Sequence, residues 1–416
     1  MIVMSRFVII GNGVAAAGCI EGIRSIDKDS PISVISAEKH KVYSRPLISY
    51  YLQGKTSLEK MNYRSKDFYE KNGVQLIYGC AERIDTKKGT VTVSGGRSAA
   101  FDKVCIAAGS MPFVPKIKGL DKVENKFTFM TMDDSLALEK ALKKDSRVLI
   151  IGAGLIGLKC AEGILERVGS VTVCDLADRV LSSILDGECA QVMQKHLEKK
   201  GIRFMLGDTA ERFEQGKAVM KSGKSVGFDI LVLAVGVRAN TQLAADAGAQ
   251  TDRGIIIDTA MKTSLENVYA AGDCTQGYDS STGENRVLAI LPNAYMQGYC
   301  AGVNMAGGES SITDAIPMNS IGFFGLHCAS AGSYFEKGEG EIFEQKSCGG
   351  IKRLYIKDGR LTGYIIIGDV TGAGIYTSLV REKTDLSGVD MDELKKDPSL
   401  AIFLPQTRRK KLGGVV

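Results

Sequence analysis

The sequence predicts an α/β protein in which one β-turn-α-β plan occurs twice, followed by a smaller α+β domain. Three observations carry this. A buried apolar strand runs into a glycine turn twice, at Gly11 and at Gly152. The same order of elements follows each turn, and the composition changes after about residue 318.

The first copy runs Phe7-Val8-Ile9-Ile10 into Gly11-Asn12-Gly13-Val14-Ala15-Ala16, then an alanine-rich stretch, then a second strand from Pro31 to Ser36. The second runs Val148-Leu149-Ile150-Ile151 into Gly152-Ala153-Gly154-Leu155-Ile156-Gly157, then a helical stretch, then the strand Val171 to Asp175. Each is Rossmann-like: a buried strand, a tight glycine turn, and a helix whose free N–H groups face a pyrophosphate. A lone glycine fingerprint is weak, but the repetition goes further. VTVSGGRS and AVMKSGKS both read as hairpins, followed by Phe101 to Gly109 and by Phe228 to Gly236. Two chance fingerprints would not share this downstream order.

Asn267 to Cys274 returns to a strand–glycine–acid pattern, with Gly272 before Asp273. Pro292 stands at a helix start, and Asn293 to Met305 continue that helix. Arg353 to Gly368 reads as a hairpin around Asp358-Gly359. A helix with the basic run Arg408-Arg409-Lys410-Lys411 closes the chain.

The bulk numbers narrow the function classes. With 416 residues, two or three full-sized domains are expected. An apolar content of 44% and a mean hydropathy of zero fit an ordinary globular protein. The net charge of +5 is compatible with an acidic partner and too weak to point to nucleic acid. Of the ten cysteines no two are closer than 14 residues, which excludes the short spacings of zinc, iron–sulfur and CxxxxC redox sites. With three dispersed histidines, no metal site is expected. The chain enters its first strand at once, without a signal-peptide pattern, and no apolar run approaches the ~18 residues of a membrane span. Scattered thiols then point to a reducing cytoplasm.

Together these motifs resemble the two-dinucleotide-binding-domain flavoproteins, the FAD- and NAD(P)-dependent pyridine nucleotide oxidoreductases. The resemblance covers roughly residues 5 to 320. YSRPLIS and LPNAYMQGYCAGVNMAG most resemble the NADH:rubredoxin reductases and the flavin portion of assimilatory nitrite reductases. It implies two Rossmann-like domains, the second inserted in the first, and a C-terminal interface domain. Residues 1–114 and 253–318 would bind FAD, residues 115–252 would bind NAD, and residues 319–416 would form the interface domain with its basic tail.

The resemblance also assigns residues. Gly11, Gly13 and Ala16 would cradle FAD, with alanine replacing the third glycine, a change the fingerprint tolerates. Gly152, Gly154 and Gly157 would cradle the nicotinamide dinucleotide. Ala108 and Gly109 would complete the FAD domain, with Gly236 as their counterpart in the second unit. Asp273 would hold the flavin ribityl chain. The helix at Pro292 would aim its positive end at the flavin N1–C2 edge. Asp175, 23 residues after Gly152, suits the free 2′-hydroxyl of NADH and repels a 2′-phosphate, so NADH is expected over NADPH. In the first unit Ser36 falls near the equivalent place. Glu38 is either the adenosine-ribose acid or a solvated surface acid.

Two departures set the expected chemistry. Disulfide reductases of this family carry redox cysteine in the region of Val42 to Gly54, where this chain offers Ser44, Arg45, Pro46 and Ser49. A disulfide substrate is therefore not expected. Arg45 and Pro46 would pack against the isoalloxazine, the alternative for Arg45 being a surface ion pair. Lys159 stands where many relatives have a glutamate near the nicotinamide and flavin N5. It would either favour negative charge on the reduced flavin or pair with Glu162 one turn later. Arg45 and Lys159 together would make an unusually positive pocket. Phe323 or Phe324 would lie on the electron path or in the core. The expected function is hydride uptake from NADH and electron delivery to a redox carrier: rubredoxin, a ferredoxin-like protein or an iron–sulfur partner subunit. The basic tail would dock the carrier or remain solvated. The competing readings are the NADH-facing FAD subunit of a larger redox complex, a peroxide-forming NADH oxidase, and a non-catalytic NADH-sensing flavoprotein.

Overall fold

The computed structural model describes residues 2–4, 6–336 and 338–413. Strands β1 (Phe7–Ile10), β2 (Ile32–Ser36), β3 (Val74–Tyr78) and β4 (Lys103–Ile106) pair in parallel, in the order β4-β1-β2-β3. Helix α1 (Val14–Ile26) joins β1 to β2, and α2 (Ile48–Leu52) lies between β2 and β3. The chain then builds a second parallel sheet from β5 (Lys126–Thr128), β6 (Arg147–Ile151), β7 (Ser170–Asp175), β8 (Ile202–Leu206) and β9 (Ile230–Leu233), in the order β5-β9-β6-β7-β8. Its helices include α3 (Met132–Ala141), α4 (Leu155–Ile164) and α5 (Gly187–Lys199). Strand β10 (Val268–Ala270) returns to the first sheet beside β4, which makes the second unit an insertion in the first.

The two sheets superimpose in order, strand for strand, and differ in when the edge strand is made. It is the last strand of the first sheet and the first of the second. Both faces of the sheets are covered, so β1, β2 and β9 are buried at every residue and read as continuous apolar runs. The hairpins expected from VTVSGGRS and AVMKSGKS form at residues 90–100 and 217–227.

Helix α6 (Leu291–Met305) crosses α1 with the backbones touching. A Cβ on Gly298 would stand 2.0 Å from the Ala15 carbonyl oxygen, and one on Gly302 2.2 Å from that of Cys19. Gly18 and Gly22 answer from α1, at 2.4 and 2.2 Å from the carbonyls of Tyr295 and Tyr299. Four glycines thus set the spacing of two helices whose N-termini end on the same side of the first sheet.

The C-terminal region is an antiparallel sheet of β11 (Met318–Phe323), β12 (Leu326–Gly332), β13 (Glu341–Ser347), β14 (Gly350–Lys357) and β15 (Arg360–Ile367), in the order β11-β12-β15-β14-β13. The Asp358-Gly359 turn between β14 and β15 has positive φ at both residues, 51° and 68°, as a two-residue hairpin requires. Helices α7 (Ala373–Arg381) and α8 (Pro405–Gly413) follow. One apolar cluster joins this sheet (Phe323, Ile365) to the inserted unit (Ile150, Leu158) and to Ile48, Leu52 and Met61. Arg353 fastens the same junction, pairing with Asp186 and Glu188 at the start of α5 and with Glu344.

Candidate functional site

Each glycine turn is shaped by the carbonyl it passes. Gly11 has φ of 110°, and a Cβ there would lie 2.1 Å from the Ala107 oxygen; Gly152 repeats this with 116° and 2.1 Å from the Ala234 oxygen. The Gly11 N–H donates to Ile35 and that of Gly152 to Cys174, both at 2.8 Å, so the turns share one register against the second strand. Gly13 and Gly154 are the N-caps of α1 and α4, without side-chain caps, and nothing lies within 4 Å of where their Cβ atoms would be. Uncapped first-turn N–H groups facing open space form an anion cradle. Ala16 is buried in α1, whereas Gly157 is needed as glycine, because its Cβ would stand 2.0 Å from the Gly152 oxygen. Gly236 also faces open space, and Gly109 takes φ of 63° beside Ala108, whose carbonyl accepts from Asn240 at 2.8 Å.

The acids differ between units. Asp175 closes β7 and reaches back to its own turn: its carboxylate accepts from the N–H of Ala153 at 2.6 Å and of Ala177 at 2.8 Å. Nearby Arg179 pairs with Asp178 at 2.9 Å. In the first unit Ser36 occupies the Asp175 position, and its hydroxyl donates to the Glu38 carbonyl at 2.6 Å. The Glu38 carboxylate accepts from the Tyr43 hydroxyl at 2.8 Å and pairs with Arg45 at 3.4 Å.

Asp273 follows β10 at the mouth of the first sheet, and the Ser110 hydroxyl donates to it over a long 3.4 Å. Burial pushes its pKa up, opposed by the Arg45 charge and the Ser110 hydrogen bond. A carboxylate this poorly partnered is suited to accept ligand hydroxyls. Pro292 stands in the first turn of α6, and the adjoining Asn293 is buried with neither side-chain polar atom hydrogen-bonded. The uncapped cradles, the under-partnered Asp273 and the orphaned Asn293 amide fit a dinucleotide with polyol and ring polar groups.

The Val42 to Gly54 segment is a clasp between the two units. The Tyr43 hydroxyl accepts from the Met132 N–H at the start of α3 at 2.9 Å, and His40 meets Asp133 at 2.8 Å. At the far end the Tyr51 hydroxyl donates to Glu139 at 2.7 Å, and Arg167 donates to Leu52 O and to Glu139, each at 3.0 Å. The segment is also tied to the first glycine turn, since Asn12 donates to the His40 carbonyl at 3.1 Å and accepts from Tyr69 at 2.7 Å. Pro46 is exposed at the start of the 3₁₀ turn Arg45–Leu47. Asn12 and Tyr43 carry positions that sequence reasoning missed. A polar amide between two glycines was the available signal for the first; nothing local marked the second.

At both positions expected to make a positive pocket the structure shows the ion-pair alternative, Arg45 with Glu38 and Lys159 with Glu162. The Lys159 ammonium donates to Glu162 at 2.6 Å and to the Gly322 carbonyl at 2.7 Å, and sits 5.0 and 5.1 Å from the ring centres of Tyr50 and Phe323. Lys159 is 14% and Glu162 7% exposed, and an unpaired charge at that depth is costly. Glu162 also accepts the Phe324 N–H, and His196 meets the Phe323 carbonyl at 3.1 Å. The β11–β12 turn is therefore held to the inserted unit by three side chains. Phe323 is fully buried, and Phe324 is held at φ of 49°.

Among the described residues, Cys105, Cys160, Cys174, Cys189, Cys274, Cys300 and Cys328 are buried with their pKa values pushed up, so they are thiols, not nucleophilic thiolates. For Cys274 burial carries the value to about 12 and for Cys328 to about 11. Two residues of the basic run are engaged within the chain, and Arg409 is exposed. Arg408 donates to the carbonyls of Ala401 and Phe403 at 3.1 and 3.2 Å, and Lys411 pairs with Glu382 at 2.6 Å. The Lys410 side chain lies outside the described residues. No helix among the described residues is long and apolar enough to cross a membrane.

Residues 5–298 match the family model described as pyridine nucleotide-disulphide oxidoreductase, and residues 317–384 match the rubredoxin NAD+ reductase C-terminal domain. The chain is 30% identical over 393 residues to the epsilon subunit of NADH-dependent phenylglyoxylate dehydrogenase from Aromatoleum evansii, covering 92% of this chain and 93% of that one. It is 30% identical over 392 residues to the nitrite reductase [NAD(P)H] of Bacillus subtilis, covering 92% of this chain but only 48% of that relative, so it spans about half of that protein. Its fold matches putidaredoxin reductase in a covalent complex with putidaredoxin, with a TM-score of 0.86 over 99% of both chains at 22% identity. Two like-ordered parallel sheets, two glycine cradles and these matches lead to one conclusion: the chain belongs to the pyridine nucleotide-disulphide oxidoreductase family, whose members use FAD and NAD(P)H.

Proposed function

We propose that this enzyme takes a hydride from NADH at the Gly152–Gly157 turn onto FAD held at the Gly11–Ala16 turn and delivers electrons to a redox protein carrier. The observation that carries this reading is the pair of open, uncapped cradles in one register, one of them beside an under-partnered Asp273. When bound, the flavin and nicotinamide supply the hydride and electron chemistry. The chain supplies alignment. Gly13 and Gly154 admit the pyrophosphates, Asp273 accepts ribityl hydroxyls, and the N-terminus of α6 at Pro292 favours negative charge. Glu38, steadied by Tyr43 and Arg45, takes the adenosine ribose. Arg45 stands between Glu38 and Asp273 and serves the anionic stretch of the cofactor, with Pro46 beside it. Lys159 and Glu162 position the Phe323–Phe324 turn. Ala108, Gly109 and Gly236 line the openings between the units.

NADH is preferred over NADPH, because Asp175 presents its carboxylate at the turn and Asp178 already engages Arg179. Residues 1–114 and 253–318 form the FAD-binding domain, 115–252 the NAD-binding domain and 319–416 the interface domain. The protein works in the cytoplasm. The carrier is rubredoxin or a similar iron–sulfur protein, a reading supported by the match of residues 317–384 to the rubredoxin reductase C-terminal domain. A second reading, the FAD subunit of a larger complex, is favoured by the end-to-end similarity to a dehydrogenase subunit. Stopped-flow mixing of the NADH-reduced protein with rubredoxin and with air separates them. Rapid carrier reduction with slow oxygen reaction supports the first reading, no competent soluble carrier the second, and fast oxygen reaction an oxidase.

A further inference from the structure

One lysine- and arginine-rich stretch lies beside the first glycine turn. Between Glu38 and Asp67 the chain holds seven Lys and Arg against one acid, Glu59; Arg45, Arg64 and Lys66 pair with Glu38, Glu21 and Glu59, and Lys55 and Lys60 stand outside the salt bridges found among the described residues. The stretch folds back on itself: Tyr43 bridges Asn62, the Ser44 N–H donates to Met61 O, and the Lys55 N–H donates to Tyr50 O. Lys55 and Lys60 are exposed on this fold. Between and beside them stand Leu58, 44% exposed, and Tyr50, 38% exposed. The patch is continuous with the Arg45–Leu47 turn, and Tyr50 touches Lys159 at the junction of the three domains.

We propose that this face, with Lys55, Lys60, Leu58 and Tyr50 at its centre, docks the acidic one-electron iron–sulfur carrier. This rests on the carrier-reductase reading and adds the surface it uses. Exposed Leu58 and Tyr50 beside the unpaired Lys55 and Lys60 suit a partner that offers apolar contact and negative charge. Rim lysines act mainly on encounter, raising the association rate at low salt. In the basic tail Arg408 and Lys411 are engaged within the chain, while Arg409 is exposed. The reaction served is NADH plus two oxidised carriers giving NAD+, a proton and two reduced carriers.

The test is stopped-flow reduction of rubredoxin by the NADH-reduced, FAD-loaded full chain across a salt series. The double variant Lys55→Glu/Lys60→Glu and Leu58→Ser are compared with a distant reversal on the 217–227 hairpin of the inserted unit, Lys221→Glu/Lys224→Glu, and with the neutral acceptor menadione. The expected result is at least a tenfold slower low-salt rubredoxin rate for Lys55→Glu/Lys60→Glu, with a flattened salt dependence. Menadione reduction and NADH bleaching stay unchanged, and the distant pair behaves as wild type. Equal loss in the distant pair, or wild-type rubredoxin rates in the double variant, overturns the docking face while leaving the carrier reading intact. No rubredoxin reduction by the wild-type chain overturns both.

Discussion

The two nucleotide units share a turn and part company at the acid behind it. In the second unit Asp175 ends its strand and closes on its own turn through the Ala153 N–H. In the first, Ser36 stands at that position, and Glu38 is presented by Tyr43, whose hydroxyl also holds the start of α3 in the other unit. The second site is self-contained. The first is wired into the packing of the domains, so damage there is expected to spread, while damage to the second stays local.

The largest effect that tests this contrast comes from the turns. Gly11→Ala forces a Cβ against the Ala107 oxygen at positive φ, as Gly152→Ala does against Ala234. Overpacking and backbone strain cost about 1–3 kcal/mol each. Gly11→Ala is expected to lose flavin absorbance and melt early; Gly152→Ala is expected to keep its flavin and lose only bleaching by NADH. If both variants retain flavin equally, the asymmetry is wrong. Next in size is Lys159→Met, which leaves the buried Glu162 carboxylate without its cation. Breaking such a pair costs about 3–5 kcal/mol, less here because Glu162 keeps the Phe324 N–H. A lowered melting temperature with an unaltered flavin spectrum is the expected signature; an altered spectrum would place Lys159 on the flavin instead.

Much of this architecture is legible in the sequence for one physical reason: a glycine at positive φ or at backbone contact leaves a mark no other residue can replace. Gly11, Gly152 and the Asp358-Gly359 turn are of that kind. The α1–α6 crossing left half a mark. Gly18 and Gly22, and Gly298 and Gly302, are spaced four apart on their helices, but nothing local pairs one helix with the other. Tyr43 with Met132, Lys159 with Gly322 and Arg408 with Ala401 are polar contacts set by tertiary packing, without local periodicity. The ion pairs of Arg45 and Lys159 were hidden for that reason: a sequence shows the cations and not which carboxylates the fold brings to them.

A smaller effect sharpens the same comparison. Tyr43→Phe removes the hydroxyl between Glu38 and the Met132 N–H and is expected to cost about 1–3 kcal/mol through the unmade bonds. Calorimetry should show both weaker FAD binding and lower stability, whereas Asp175→Asn, which keeps one of its two N–H acceptors, should cost only the local bond, leave FAD binding unchanged and lower the NADH over NADPH ratio of kcat/KM about tenfold. An Asp175 variant that still rejects NADPH would return the choice to other residues. The smallest effect concerns Asp273, whose pKa is raised by burial. An acid with a raised folded pKa binds protons on folding, so stability is greatest below that pKa and declines as pH rises through it. Flavin-free protein should therefore lose stability as pH rises from the ordinary carboxylate range up to the folded pKa of Asp273 and be level above it, and Asp273→Asn should abolish that slope while weakening FAD binding. A slope of the opposite sign would mean that Asp273 is well partnered without a ligand.

The most direct measurement is an anaerobic titration of the FAD-loaded protein with NADH, followed in the visible spectrum. Flavin absorbance that bleaches at about one NADH per flavin is the predicted result. Protein that takes up no FAD, or bound flavin that NADH leaves oxidised, would contradict the account.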